Sequence, residues 1–213
     1  MKKQLLFLLL IFSCMGVKSY AQYDCWSIQL KGGINSNRGM YRTIWKRDYN
    51  PEGGVAVEYT ISPIIGIGGE CLYLNNDHPD NGFNSSLLQT TLFTSLNLTN
   101  LSLKYRSGFW QRFNAYVNVG GGFGSGQWKQ DFGSADNINL AASIGMNFEY
   151  NISRLFAIGM EIQYWWNSNA KYNPAMYSSN KDFYTGNLNF RFKIPSWSGQ
   201  HIRNLDQLWN IHM

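Results

Sequence analysis

Charge is what this chain has least of for its size. Asp, Glu, Lys and Arg make up 15% of its 213 residues, where soluble domains carry about 25%; a densely charged, fully solvated surface is excluded. The 18 basic residues outnumber the 13 acidic ones, but they stand singly or in pairs. Without a clustered basic footprint, the net charge of +5 gives no reason to expect nucleic acid as a partner. Cysteine is scarce too: Cys14, Cys25 and Cys71 are too few for a disulfide scaffold and have no His or Cys neighbours at metal-ligand spacing. Only three histidines are present, His78, His201 and His212, which leaves little for imidazole chemistry. Past the first dozen residues no apolar run approaches the about 20 residues of a membrane-crossing helix.

That first run has the anatomy of an export leader. Lys2 and Lys3 precede the apolar stretch from Leu5 to Phe12, and "KSYAQ" follows with small residues at Ser19 and Ala21. Cleavage after Ala21 is expected, giving a leader over 1–21, a domain over 22–194 and a short periplasmic tail over 195–213. The stretch "IFSC", Ile11 to Cys14, offers a second processing route by lipidation of Cys14, which bulky Phe12 fits poorly. Export leads to an oxidising compartment. Strand phase sends Cys25 and Cys71 to opposite faces, so no disulfide is expected.

What the chain does contain is one element twice. "GVAVEYTISPIIGIGGECLYLNN", Gly54 to Asn76, returns as "GMNFEYNISRLFAIGMEIQYWWN", Gly145 to Asn167, ungapped and with ten identities. Each copy alternates with a period of two, the strand signal. In the second, Ile144, Met146, Phe148, Tyr150, Phe156, Ile158, Met160, Ile162, Tyr164 and Trp166 form an unbroken apolar face. Opposite them lie Asn147, Glu149, Ala157, Gly159, Glu161 and Gln163. A sandwich would have a richly charged outer face. Small residues beside isolated charges suit the crowded interior of a narrow barrel, and the apolar face suits lipid. Four further segments follow the pattern: Cys25 to Asn35, Thr91 to Tyr105 with a bulge or phase slip at "NLTN", Phe113 to Gly124, and Tyr184 to Ile194.

The expectation is an all-β protein, an eight-stranded antiparallel up-and-down transmembrane β-barrel. Links Thr60 to Pro63, Arg106 to Arg112 and Asn151 to Arg154 read as short, and Ser36 to Pro51, Asn76 to Thr90, Ser125 to Asn137 and Ser168 to Asp182 as long, which predicts short periplasmic turns and long outer loops. Aromatic belts are expected at Tyr59, Tyr105, Phe113, Tyr150 and Phe192 on one side and at Tyr73, Phe123, Tyr164, Trp166 and Tyr184 on the other. Lys31, Glu58, Glu70, Lys104, Glu149, Glu161 and Arg191 fall on the non-apolar face. Confined in a narrow bore, they are expected to pair as a lumen charge network that leaves no continuous aqueous pore.

Residues "GVAVEYTIS", "IGIGGECLY", "AYVNVGGGFG", "GMNFEYNISRLFAIGMEIQY" and "GNLNFRFKI" together resemble the OmpA-like eight-stranded outer-membrane barrels, the porin-family barrel domain, from about Cys25 to Ile194. The resemblance implies an outer-membrane location. The tail "PSWSGQHIRNLDQLWNIHM" is too short for the peptidoglycan-binding domain that some members carry. Barrels of this size that act on lipid need a His with a Ser nucleophile and an acidic partner. Here only His78, in "NNDHPDN" with Asp77 and Asp80, sits near the barrel, and that cluster is ordinary turn chemistry. "GGGFGSG", Gly120 to Gly126, lacks the register and the following Lys of a phosphate loop. The expected function is therefore a non-enzymatic structural or surface-interaction role with no cofactor and no metal. The alternatives are a channel for small solutes or hydrophobic compounds and, behind it, a lipid-modifying enzyme. Expected partners are outer-membrane lipid and lipopolysaccharide, with "WKRD", Trp45 to Asp48, and Trp128 with Lys129 in outer loops available to a surface partner; the chain is expected to be monomeric.

Overall fold

The computed structural model describes residues 25–37, 49–78, 83–102, 112–130, 133–153, 155–168 and 182–195. The leader, the tail beyond Pro195, Trp45, Asp80, Lys104, Tyr105, His201 and His212 lie outside them. Eight strands follow one another: β1 (Cys25–Asn37), β2 (Tyr49–Thr60), β3 (Ile65–His78), β4 (Phe83–Asn97), β5 (Phe113–Gln130), β6 (Gly133–Asn151), β7 (Phe156–Asn167) and β8 (Phe183–Pro195), with a one-turn helix α1 (Leu98–Ser102) after β4. Each pairs antiparallel with its neighbours and β8 closes on β1. No described helix is long and apolar enough to cross a membrane.

The register sets the tilt. From Gly33, the ladder through Glu52, Leu74, Leu87 and Gly126 reaches β6 at Asn137, whereas the opposite route through Asn187 and Glu161 reaches β6 at Asn147. The two arrivals are ten residues apart, and this stagger tilts the strands by about 35–45° to the barrel axis. Outward residues are apolar and exposed, among them Leu30, Val57, Ile67, Leu92, Met146, Met160, Ile162 and Phe190. Aromatics edge this band on both sides. Trp26 packs at a tilt against Tyr59 and Phe156 against Phe192 near the rim that holds Cys25 and Pro195, and Tyr164 meets Tyr184 towards the other rim. From Phe156 to Trp166 there are eleven residues, the length of a tilted membrane crossing.

The repeat is hairpins β2–β3 and β6–β7, and its Ile-Ser pair is turn chemistry. Ser62 Oγ accepts hydrogen bonds from the backbone of Ile64 and Ile65, and Ser153 Oγ accepts from Leu155 and Phe156. The N–H of Ile61 donates to Ile65 O at 3.0 Å and that of Ile152 to Phe156 O at 3.0 Å, so both turns close identically. Gly54 and Gly145 also match in role: a Cβ on either would press within 2.9 Å of the neighbouring strand's carbonyl, at Cys71 O and Ile162 O.

Two expectations are corrected. The fourth strand is not Thr91 to Tyr105 but Phe83–Asn97, and "NLTN" is no bulge. Asn97 Oδ1 accepts the backbone N–H of Asn100 at 3.0 Å, the bond of a helix N-cap, so the chain turns into α1 where alternation suggested more strand. The link lengths also differ. Strands β3 to β6 run on, so the far-rim links 79–82 and 131–132 are short, while 98–112, at the rim of the chain ends, is among the longest.

Candidate functional site

The inward side chains of the barrel sort by chemistry along its axis. Nearest the rim of the chain ends, Arg191 on β8 lies between Glu58 on β2, at 2.9 Å, and Glu149 on β6, at 2.7 Å. Lys193 reaches Glu149 at 3.2 Å. Gln29 Nε2 donates to Glu58 at 3.1 Å, Ser95 Oγ donates to the same carboxylate at 2.5 Å, and the Arg191 guanidinium lies 5.2 Å over the Tyr116 ring. Both oxygens of Glu58 thus have a donor, as a carboxylate this deeply buried requires.

Midway along the bore, Lys31 on β1 lies between Glu70 on β3 and Glu161 on β7. It is hydrogen-bonded to Glu70 and reaches Glu161 at 2.5 Å. Asn118 Nδ2 donates to Glu161 at 2.8 Å and Gln163 Nε2 to Glu70 at 3.4 Å. The two arrangements are one design used twice. Glu58 and Glu149 occupy matching positions of the two repeat copies, as do Glu70 and Glu161. Each matched pair closes on one cation, and the cations come from β8 and β1, the strands whose pairing closes the barrel.

Towards the far rim the lumen turns to amides and then to an apolar plug. Gln89 Nε2 and Asn139 Nδ2 both donate to Asn167 Oδ1, at 3.1 and 2.9 Å. Leu72, Leu74, Leu87, Trp165 and Phe183 form a buried cluster. Trp165 and Phe183 stack with centroids 5.8 Å apart and planes 9° apart, and Trp165 Nε1 donates to Thr185 Oγ1 at 3.3 Å. Their inward direction follows from pairing parity, since Trp165 stands opposite Phe183 and alternates with outward Tyr164 and Trp166.

Six of the seven sequence-derived lumen charges, Lys31, Glu58, Glu70, Glu149, Glu161 and Arg191, face the bore and meet in these two groups. Lys104 lies outside the described residues. Sequence reading missed Glu52, Lys193 and the plug. Glu52 shares parity with Ala56 and Glu58, and Lys193 with Arg191, so alternation alone could have found both; the plug breaks the rule that inward means small or polar. Among the described residues no three His, Cys, Asp or Glu converge as a metal-ligand set. Asp77 and His78 end β3.

A family profile, the outer membrane protein beta-barrel domain, matches residues 6–194. Among solved structures, the neisserial surface protein A superposes with a TM-score of 0.55 at 8% identity, over 79% of this chain and 96% of that one. The attachment invasion locus protein of Yersinia pestis gives 0.53 at 12% identity, over 81% and 100%, and 0.51 in its complex with the heparin analogue sucrose octasulfate. A major outer membrane protein from Thermus thermophilus gives 0.50 at 11%, over 79% and 99%. No curated protein matches.

Proposed function

The chain belongs to the outer membrane protein beta-barrel domain family, and from that premise we propose that it serves the outer membrane as a non-enzymatic, monomeric barrel with a structural or surface-interaction role and a bore closed to solutes. The observation that carries this reading is the sequence of obstructions along the axis: the Arg191 group, the Lys31 group and the Trp165–Phe183 plug. An eight-stranded barrel has an interior only wide enough for side chains to fill. Here those side chains are paired ions and stacked rings, which water and solutes would have to break apart to pass.

Function then lies at the rims and on the lipid face. The far-rim link 38–48 carries Arg38, Arg42, Lys46 and Arg47 beside Trp45, a composition suited to the phosphorylated saccharides of lipopolysaccharide. Export by the leader 1–21 would leave the tail after Pro195 in the periplasm. Planar-bilayer recording on the purified, refolded chain tests the closed bore: the expected trace is silent, and steady large openings of the unmutated protein would give the reading to the channel alternative instead.

A further inference from the structure

The two ionic groups of the bore divide their charges by strand. Carboxylates come from the repeat hairpins, Glu58 on β2, Glu70 on β3, Glu149 on β6 and Glu161 on β7, and cations from the first and last strands, Lys31 on β1 and Arg191 and Lys193 on β8. β1 and β8 meet along a seam of thirteen antiparallel pairs, from Cys25 opposite Pro195 to Asn37 opposite Phe183. β4, on the far side of the barrel, holds no charged residue, so no ion pair can join it to β3 or β5.

Each cation reaches two strands to either side. On one side the path stays within the sheet as the chain lays it down: Lys31 to Glu70 runs from β1 over β2 to β3, and Arg191 to Glu149 from β8 over β7 to β6. On the other side it crosses the seam: Lys31 to Glu161 runs from β1 over β8 to β7, and Arg191 to Glu58 from β8 over β1 to β2. In a sheet opened and flattened at the seam, β1 and β7 stand six strand spacings apart, as do β8 and β2, or about 29 Å at about 4.8 Å each. Neither of the seam-crossing bonds survives that opening. The outer surface over the seam is also thin. Gly32 on β1 and Gly186 on β8 share parity with outward Leu30 and Leu188, and a Cβ on either would meet nothing within 4 Å. More of the hold on the seam therefore falls to the ions inside.

We propose that Lys31–Glu161 and Arg191–Glu58 form a reciprocal ionic latch on the β1–β8 seam. Closure of the sheet brings each cation its second carboxylate, and these two bonds set how often the barrel parts along that seam. Lys31–Glu70 and Arg191–Glu149 are available before closure and do not oppose opening. The repeat supplies the control. Glu58 matches Glu149 and Glu70 matches Glu161; all four are buried, and the two carboxylates on each cation differ in the side of the seam from which they reach it.

Amide hydrogen exchange of the refolded full chain in lipid, read by mass spectrometry, tests the latch. Glu161→Gln or Glu58→Gln should speed exchange in β1 and β8 about tenfold to a hundredfold, the worth of one hydrogen bond to a charged group, and leave β4 and β5 as they were. Glu70→Gln and Glu149→Gln should change the seam much less. Where a Gln variant does not refold, Glu161→Asp and Glu58→Asp against Glu70→Asp and Glu149→Asp give the same comparison, since a carboxylate one methylene shorter draws back from its cation. Equal acceleration from the two carboxylates of one cation, acceleration spread over all eight strands, or an unchanged seam in the Glu161 and Glu58 variants would each overturn the proposal.

Discussion

At Arg191 one guanidinium holds two carboxylates from opposite copies of the repeat, Glu58 and Glu149, in the interior of a barrel. Removing one member of a buried ion group leaves the others charged and unpaired, which costs about 3–5 kcal/mol. Arg191→Met should therefore lower the stability of the refolded barrel by that amount in urea titration. Adding Glu58→Gln and Glu149→Gln to it should restore part of the loss, since the stranded charges go with them. A merely steric role for Arg191 would show no such recovery. Trp165 belongs to a different class. It is fully buried, stacked on Phe183 and hydrogen-bonded through Nε1. Trp165→Ala should cost about 3–5 kcal/mol through the cavity it leaves. The same variant should raise the frequency of brief bilayer openings, whereas loss of stability with an unchanged silent trace would place the main obstruction at the ion groups.

Strands obey a depth rule that can be tested within one sheet. Met160 and Ile138 both point outward and are 62% and 76% exposed, but Met160 lies mid-strand in β7 and Ile138 in the part of β6 that runs past the aromatic belt of Phe123 and Tyr164. Arginine costs about 2–4 kcal/mol at the bilayer midplane and about 0–1 near the interface. Met160→Arg should thus destabilise the barrel in lipid and Ile138→Arg should scarcely do so; equal costs would mean that the lipid band is misplaced. The same elements mark how far the fold can be read from sequence. Strict alternation in β7 and β8 and the duplicated hairpin made the strand number and the outward face legible. β4 hid its start because Leu87 and Phe93 point inward while Thr90 and Thr94 point outward, which erases the contrast of faces. It hid its end because Asn97 caps α1, a bond that local alternation does not announce. The extension of β3 to β6 past the membrane was illegible for a simple reason: outside lipid, polar residues such as Ser85, Ser86 and Gln127 serve a strand as well as a loop. Parity placed the inner charges on one face, but which acid would meet which cation depends on the ten-residue stagger of the closed sheet, a property no single strand carries.

For the whole molecule the question is which rim faces outward. An even number of strands puts both chain ends on one side, and in outer-membrane barrels that side is the periplasm. Cys25 and Pro195 share a rim with turns 61–64 and 152–155, so the expectation is that the opposite rim, with links 38–48, 79–82, 131–132 and 168–182, faces outward. Link length alone no longer decides this, because the long link 98–112 is on the side of the chain ends; there Thr99 Oγ1 accepts the backbone N–H of Ala115 at 2.7 Å and Asn100 Nδ2 donates to Pro63 O at 2.5 Å, tying α1 to the rim. The strand extensions give a second argument. β5 and β6 have 18 and 19 residues, well beyond the about 9–11 that a tilted strand needs to cross, and the surplus lies at the far rim, as in barrels whose longer segments face the medium. Trypsin separates the two orientations, because the link 168–182 contains Lys171 and Lys181 and the turn near 152–155 contains Arg154. Added to intact cells, it should cut at Lys171 or Lys181 and spare Arg154, with the fragments read by mass spectrometry. Cleavage at Arg154 in cells that remain sealed, with Lys171 and Lys181 protected, would invert the barrel and move the basic link 38–48 to the periplasm, away from lipopolysaccharide.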